Sequence, residues 1–200
     1  MHISEGVLSG PVMLSGGVLA AIGTGIGLKK MDYDRIAQVG ILSSAFFVAS
    51  LIHVNIGPSS VHLILNGIVG LLLGWSAFPA ILIALLLQAL FFQFGGITAL
   101  GVNTVNMALP AVVCFYLFGP LIQKNTMMAT TGAFAAGFLS VFFASAALGV
   151  SLVFTEENFW EVSMLVITAH LPVMIIEGLV TVFCISFLKK VHPVMLQGMS

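Results

Sequence analysis

An all-α polytopic membrane protein, a bundle of about seven transmembrane helices, is the fold that this 200-residue sequence predicts. Three observations predict it. The chain is 60% hydrophobic and 6% charged, with a mean hydropathy of +1.17. Its charge-free runs reach the roughly 20 residues that a helix needs to cross hydrocarbon. All its basic residues, Lys29, Lys30, Arg35, Lys124, Lys189 and Lys190, fall on one side if seven spans alternate.

The chain start, Met1-His2-Ile3-Ser4-Glu5-Gly6, has no basic n-region and no A-x-A cleavage pattern, so a retained amino terminus is expected rather than a signal peptide. His2 is too large a neighbour for trimming of the initiator methionine, so Met1 is expected to stay. Spans follow at 11–28, 36–54, 61–75, 79–94, 106–122, 127–154 and 162–188. The third and fourth are short and meet in Gly74-Trp75-Ser76-Ala77-Phe78-Pro79, a tight turn with an aromatic interfacial anchor. The basic side is the cytoplasm of a prokaryotic plasma (inner) membrane. Glu5, the segment after His53, the loop Glu156-Glu157-Asn158-Phe159-Trp160-Glu161 and the amino terminus then lie outside, and the carboxyl terminus inside. Small residues recur four apart at Gly17/Ala21, Gly23/Gly27, Gly70/Gly74, Ala133/Gly137 and Ser145/Gly149, a spacing that lets helix backbones approach closely. One membrane domain, 1–200, accounts for the whole sequence.

Several functions are excluded. A net charge of -1 offers no basic surface to nucleic acid, and no G-x-x-x-x-G-K-[ST] sequence cradles a phosphate, so ATP hydrolysis must occur on another polypeptide. No H-E-x-x-H, paired carboxylate or positioned nucleophile supports an enzyme. Cys114 and Cys184 sit in separate apolar runs and read as packing residues.

The chemistry lies at the chain start. The Met1 amine, the His2 backbone nitrogen and the His2 Nδ1 can close adjacent five- and six-membered rings around one ion, a nitrogen set that suits tetragonal Ni(II), Co(II) or Cu(II) better than tetrahedral zinc. Outside Met1 the methionines are scattered through the chain without repeated M-x-x-x-M pairs and read as core fillers, which argues against copper. His62, in Gly57-Pro58-Ser59-Ser60-Val61-His62, is expected in the first turn of the third span, capped by Ser59 or Ser60, with Asn66 four residues on and on the same face. It faces the same compartment as His2 and can supply a fourth nitrogen. His53 competes with it, as ligand or as an orienting group. The polar stretch Gly95 to Asn106 reads as an outer loop able to close over the ion, in which Asn103 and Asn106 bond the chain start or satisfy the loop's own backbone. His170 and Glu177 share a face of the last span and either pair with buried polar groups as structural glue or couple metal occupancy to helix movement around Pro172; the structural reading is preferred, because they lie far in sequence from the chelate.

These segments resemble the CbiM/NikM family, the substrate-binding membrane component of energy-coupling-factor cobalt/nickel transporters. The resemblance rests on Met1 to Gly6, on Ser60-Val61-His62-Leu63 with Asn66-Gly67, on Gly101-Val102-Asn103-Thr104 with Asn106-Met107-Ala108-Leu109-Pro110, and on Ala169-His170-Leu171-Pro172 with Glu177-Gly178. It implies a seven-helix bundle with the amino terminus tucked into its centre. It implies Ni2+ or Co2+ held by the Met1 amine, the His2 amide nitrogen and imidazole, and His62. It also implies partners: a transmembrane coupling subunit, two cytoplasmic ATPase subunits and often a small accessory membrane subunit. Capture of the ion outside and ATP-driven delivery inward is the leading expectation. A passive divalent metal channel, with Asn residues lining a pore, is the alternative.

Overall fold

The interior of this bundle is small and its exterior is large, the packing that follows when lipid rather than water surrounds the helices. In the computed structural model, residues 1–51, 53–56 and 59–196 are described. Gly57, Pro58 and the Ser59 side chain, named above with the cap of the third span, lie outside the described residues. Helix α1 spans Gly10–Lys29, with Pro11 in its first turn, where a missing N–H costs nothing, and buries only Gly16, Ala20, Gly23 and Gly27. Leu14, Leu19 and Ile22 on the same helix face outward. Helix α2 spans Ile36–Ala49, strands β1 (His53–Ile56) and β2 (Ser59–His62) form an antiparallel hairpin that pairs His53 with His62, and α3 spans Asn66–Leu73. The remaining helices are α4 (Ala77–Phe92), α5 (Leu100–Ile122), α6 (Thr126–Val153), α7 (Trp160–Ala169) and α8 (Leu171–Val191).

The membrane-spanning helical fold and the buried chain start agree with the sequence. Among the described residues five helical stretches are long and apolar enough to cross, two of them broken: Asn66–Phe92 and Glu157–Val191. The first turns back at Gly74, which stands at φ +52°, so that Trp75 lies under Lys30 while Gln88 reaches His2, the tight turn expected between the third and fourth spans. The 14-residue α2 is about 21 Å long at 1.5 Å per residue, short of a 30 Å hydrocarbon layer. The span expected over 36–54 therefore ends at Ala49, and His53 is a strand residue. The span expected over 61–75 is helical only from Asn66, so His62 ends a strand instead of opening a helix, and Asn66 is not one helical turn beyond it. Residues Leu100 to Asn106, expected as loop, begin α5, the glycine among them, Gly101, serving close packing on α1: a Cβ there would lie 2.6 Å from the Gly17 Cα. The last span is two helices meeting at His170, where Pro172 withholds a backbone N–H.

The two ends of the bundle differ in charge. Lys30 lies over the Trp75 ring at 5.6 Å, Arg35 donates to the Met195 carbonyl at 3.3 Å, and Lys189 donates to the Lys124 carbonyl at 3.1 Å, which gathers the basic residues at one end. Residues 1–9, the hairpin and the loop after α4 lie at the other: Glu5 accepts from the Thr98 N–H and the Ser9 N–H reaches Thr155. Three helices meet where side chains vanish. A Cβ on Gly67 would lie 2.5 Å from the Gly137 Cα, and one on Gly137 would lie 2.5 Å from the Glu177 carbonyl oxygen, so α3, α6 and α8 touch through backbone.

Gly137→Ala is expected to destabilise the detergent-solubilised protein by about 1–3 kcal/mol, as overpacking does, because its neighbours are backbone and cannot yield. Gly25→Ala, whose Cβ meets nothing within 4 Å, is the control and is expected to be neutral or slightly stabilising in thermal unfolding.

Candidate metal centre

Residues 1–3 are packed into the bundle. Met1 and Ile3 have no exposed surface, and burying such side chains contributes about 1.5–3 kcal/mol each. Asn103, in the first turn of α5, clamps the backbone of Ile3 from both sides: its Oδ1 accepts the Ile3 N–H at 2.9 Å and its Nδ2 donates to the Ile3 carbonyl at 3.1 Å. The loop after α4 closes over this segment by virtue of two glycines. Gly95 and Gly96 stand at φ +75° and +84°, and a Cβ on the second would lie 2.6 Å from the Glu5 Cβ.

Between the clamp and the hairpin, two imidazoles meet. The His2 Nδ1 lies 3.1 Å from the His62 Nε2, with ring centroids 4.7 Å apart. Their protons are committed elsewhere. Gln88 on α4 donates through its amide nitrogen to the Phe47 carbonyl at 3.2 Å and to the Ser50 hydroxyl, so its oxygen is the end that faces His2. That oxygen lies 2.8 Å from the His2 Nε2, which must therefore carry the proton. The His62 Nδ1 likewise donates to the Leu63 carbonyl at 2.7 Å. Each ring thus turns a bare lone pair toward the other. The Ser60 hydroxyl stands beside them, 3.4 Å from the His2 backbone nitrogen and 3.5 Å from its Nδ1.

A proton shared between the rings would leave a cation in a buried site, and desolvation opposes it. Both histidines lie outside the membrane-spanning helices, and burial pushes the imidazoles of His2 and His62 from 6.5 down to about 4, against the smaller opposing effect of their hydrogen bonds. Two convergent, uncompensated lone pairs at this distance suit a borderline-soft cation.

His53 is the cross-strand partner of His62, but its ring packs edge-on against Phe94 at 4.3 Å and its Nδ1 bonds the Leu51 carbonyl. Asn66 donates to the Met107 carbonyl and Asn106 accepts from Ser151, so both tie helices together and neither bonds the chain start. Among the described residues no cluster of three His, Cys, Asp or Glu side chains could hold an ion. Gln88 is the site residue that sequence reasoning missed. It is a polar side chain with no exposure inside the apolar run 79–92, and polarity at that depth was the available signal.

A multi-pass membrane protein with nitrogen lone pairs focused at one end of its bundle has the form of a transition-metal transport component. The family profile described as “Cobalt uptake substrate-specific transmembrane region” matches residues 2–195, and the chain belongs to that family, CbiM. It is 43% identical over 199 residues, 96% of this chain and 95% of the other, to a Haemophilus influenzae protein provisionally described as a metal transport protein. It is 33% identical over 172 residues, 78% of this chain and 49% of the other, to the fused nickel transport protein NikMN of Rhodobacter capsulatus. A solved structure described as a transition metal transporter superposes with a TM-score of 0.77 at 27% identity, covering 96% of this chain and 93% of that one. The chain is thus a cobalt/nickel transport component of the CbiM/NikMN type.

Because both imidazoles are held neutral, an unfolded chain takes up protons below pH 6.5 that the folded one refuses until about 4. The docked amino terminus should therefore lose stability as pH falls from 6.5 toward 4 and hold it fully above 6.5. In nitrogen-edited NMR of the metal-free protein both rings are expected to stay neutral down to about pH 5. Titration of either near 6.5 would show that the segment is not docked.

Proposed function

We propose that this chain is the substrate-specificity component of an ATP-driven energy-coupling-factor importer, capturing Ni2+ or Co2+ at the outer face of the membrane. The observation that carries the reading is the convergence of the His2 Nδ1 and the His62 Nε2 at 3.1 Å. The Met1 amine and the His2 amide nitrogen complete a four-nitrogen set, with the two chelate rings of residues 1 and 2 fixing three donors in one plane. The His2 N–H has only a long contact, 3.4 Å to Ser60, so ionising it on metal binding breaks no strong bond. Gln88 fixes the tautomer of His2 through its ring N–H, and Asn103 fixes the peptide that follows it. Asn66, Asn106 and His53 support the surrounding helices and hairpin and supply no donor.

The end that bears the chain start is the outer one, and the basic end faces the cytoplasm. There the chain meets a transmembrane coupling subunit and, through it, two ATPase subunits; a small accessory membrane subunit joins some such complexes. Planar nitrogen coordination disfavours tetrahedral zinc and hard magnesium. Nickel and cobalt are both accommodated. Uptake by this chain with and without ATPase subunits tests the transport reading: flux must depend on them, and equal flux in their absence would make the chain a passive channel.

Acetylating Met1, or adding one residue before it, is expected to abolish tight binding while thermal unfolding stays unchanged; unaltered calorimetric affinity would rule out amine ligation. His62→Ala should cost about 100- to 1,000-fold in nickel affinity, roughly a quarter of the 10–16 kcal/mol of a four-ligand site. His53→Ala should cost far less, and the reverse ranking would make His53 the ligand. Gln88→Ala should cost about 10–100-fold, the usual effect of losing the partner that orients a ligating imidazole.

A further inference from the structure

Glu177 lies within α8, has no exposed surface and, among the described residues, forms no bond to another side chain. Its Oε1 accepts two backbone N–H groups, from Ile64 at 2.5 Å and from Leu65 at 2.7 Å. These residues lie in the three-residue link between β2 and α3, immediately beyond His62. Leu65 stands at φ +56°, a left-handed conformation that costs an L-residue about 1–2 kcal/mol. Two successive N–H groups turned to one side, with a left-handed residue among them, form a concavity for an anionic oxygen, and here the chain's own carboxyl group fills it.

The link to the imidazole is a single peptide plane. The carbonyl of Leu63 and the N–H of Ile64 belong to one rigid unit. The carbonyl accepts the proton of the His62 Nδ1, and the N–H donates to Glu177. Rotating that plane removes the partner that keeps the proton on Nδ1, and with it the lone pair that Nε2 turns toward His2. The height of Glu177 is fixed in turn by the contact of its own carbonyl with Gly137, against which Gly67 of α3 also rests. We propose that Glu177 is the positioning residue of His62: its carboxyl group holds the 63–64 peptide in the one orientation that aims the His62 Nε2 at the His2 Nδ1.

This inference rests on the reading of His62 as a metal ligand, and its test separates the two. Because Oε2 of Glu177 has no hydrogen-bond partner among the described residues, Glu177→Gln can place its amide nitrogen there and keep both accepted bonds. Glu177→Ala removes both bonds, and Glu177→Asp, one methylene shorter, loses at least one of them. In nickel titration, Glu177→Gln is expected within about threefold of the natural protein, and Glu177→Ala about 10–100-fold weaker. In a His62→Ala background the Ala change should cost nothing further. Full additivity of the two losses would overturn the proposal, since a merely structural residue weakens binding whether or not His62 is present. The metal-free readout is carbethoxylation of individual histidines by diethyl pyrocarbonate, followed by mass spectrometry. His62 should react at least about tenfold faster in Glu177→Ala, or in Glu177→Asp if the first variant does not fold, while buried His170 keeps its natural rate. Equal His62 rates in all variants would overturn the positioning role. Accelerated His62 labelling in a protein that binds neither nickel nor cobalt would sustain it and remove the capture reading instead.

Discussion

The arrangement at the end of the bundle that bears the chain start depends on where two protons sit. An imidazole has one N–H and one lone pair, and which nitrogen keeps the proton is decided by what the other elements offer it. Here the Phe47 carbonyl orients the Gln88 amide, the Gln88 oxygen takes the His2 Nε2 proton, and the Leu63 carbonyl takes the His62 Nδ1 proton. Remove any of these and at least one ring can turn its N–H inward, where it would repel a cation. Neither histidine determines the outcome alone; α2, α4 and the β2–α3 link fix it together.

That wiring depends on a backbone that lipid permits. Polar groups at membrane depth must be satisfied by protein, and the bundle does this with small residues inside, so that helices approach until carbonyls and amides come within reach. The Gly67–Gly137–Glu177 stack is the clearest instance: a side chain at Gly137 would push α8 outward and withdraw the carboxyl group from the link it holds, and one at Gly67 would part α3 from α6. Bulky residues across the bundle, among them Leu14, Phe91, Leu117 and Phe183, face outward because there hydrocarbon solvates them as well as a core would.

How far the sequence was legible follows from the range of each interaction. Chain-start chelation, hydrophobic runs and charge sidedness are properties of neighbours in sequence, and they led to Met1, His2 and a membrane bundle. The hairpin was not legible, because His53 and His62 sit in a stretch whose apolar content fits a helix end as well as a strand, and only the cross-strand pairing decides. For Asn103 and Asn106 the sequence left two roles open, bonding the amino-terminal segment or satisfying a loop's own backbone: Asn103 does the first, though from a helix, whereas Asn106 does neither, being three residues further round α5 and turned to α6. Gln88 was missed, and the partners of Glu177 were not foreseen, for one reason: each bonds a group 86 or more residues away, and no local pattern reports the partner.

A buried site for a divalent ion must also let the ion go. Nitrogen donors on a rigid scaffold bind tightly and release slowly, so release calls for an element whose movement uncouples the donors. Three of the four proposed donors travel with residues 1 and 2, whereas the fourth belongs to a separate strand. The strand's exit is held by α8, which continues to the basic end of the bundle, where Lys189 bonds the Lys124 carbonyl. A shift of α8 at that end, passed along a helix broken only at His170, would turn the 63–64 peptide and swing His62 away while leaving the three-donor chelate intact. On the proposed reading, splitting the donor set between two separately anchored segments would give a partner docked at the basic end mechanical access to the ion's fourth bond, without any group of that partner having to reach the site.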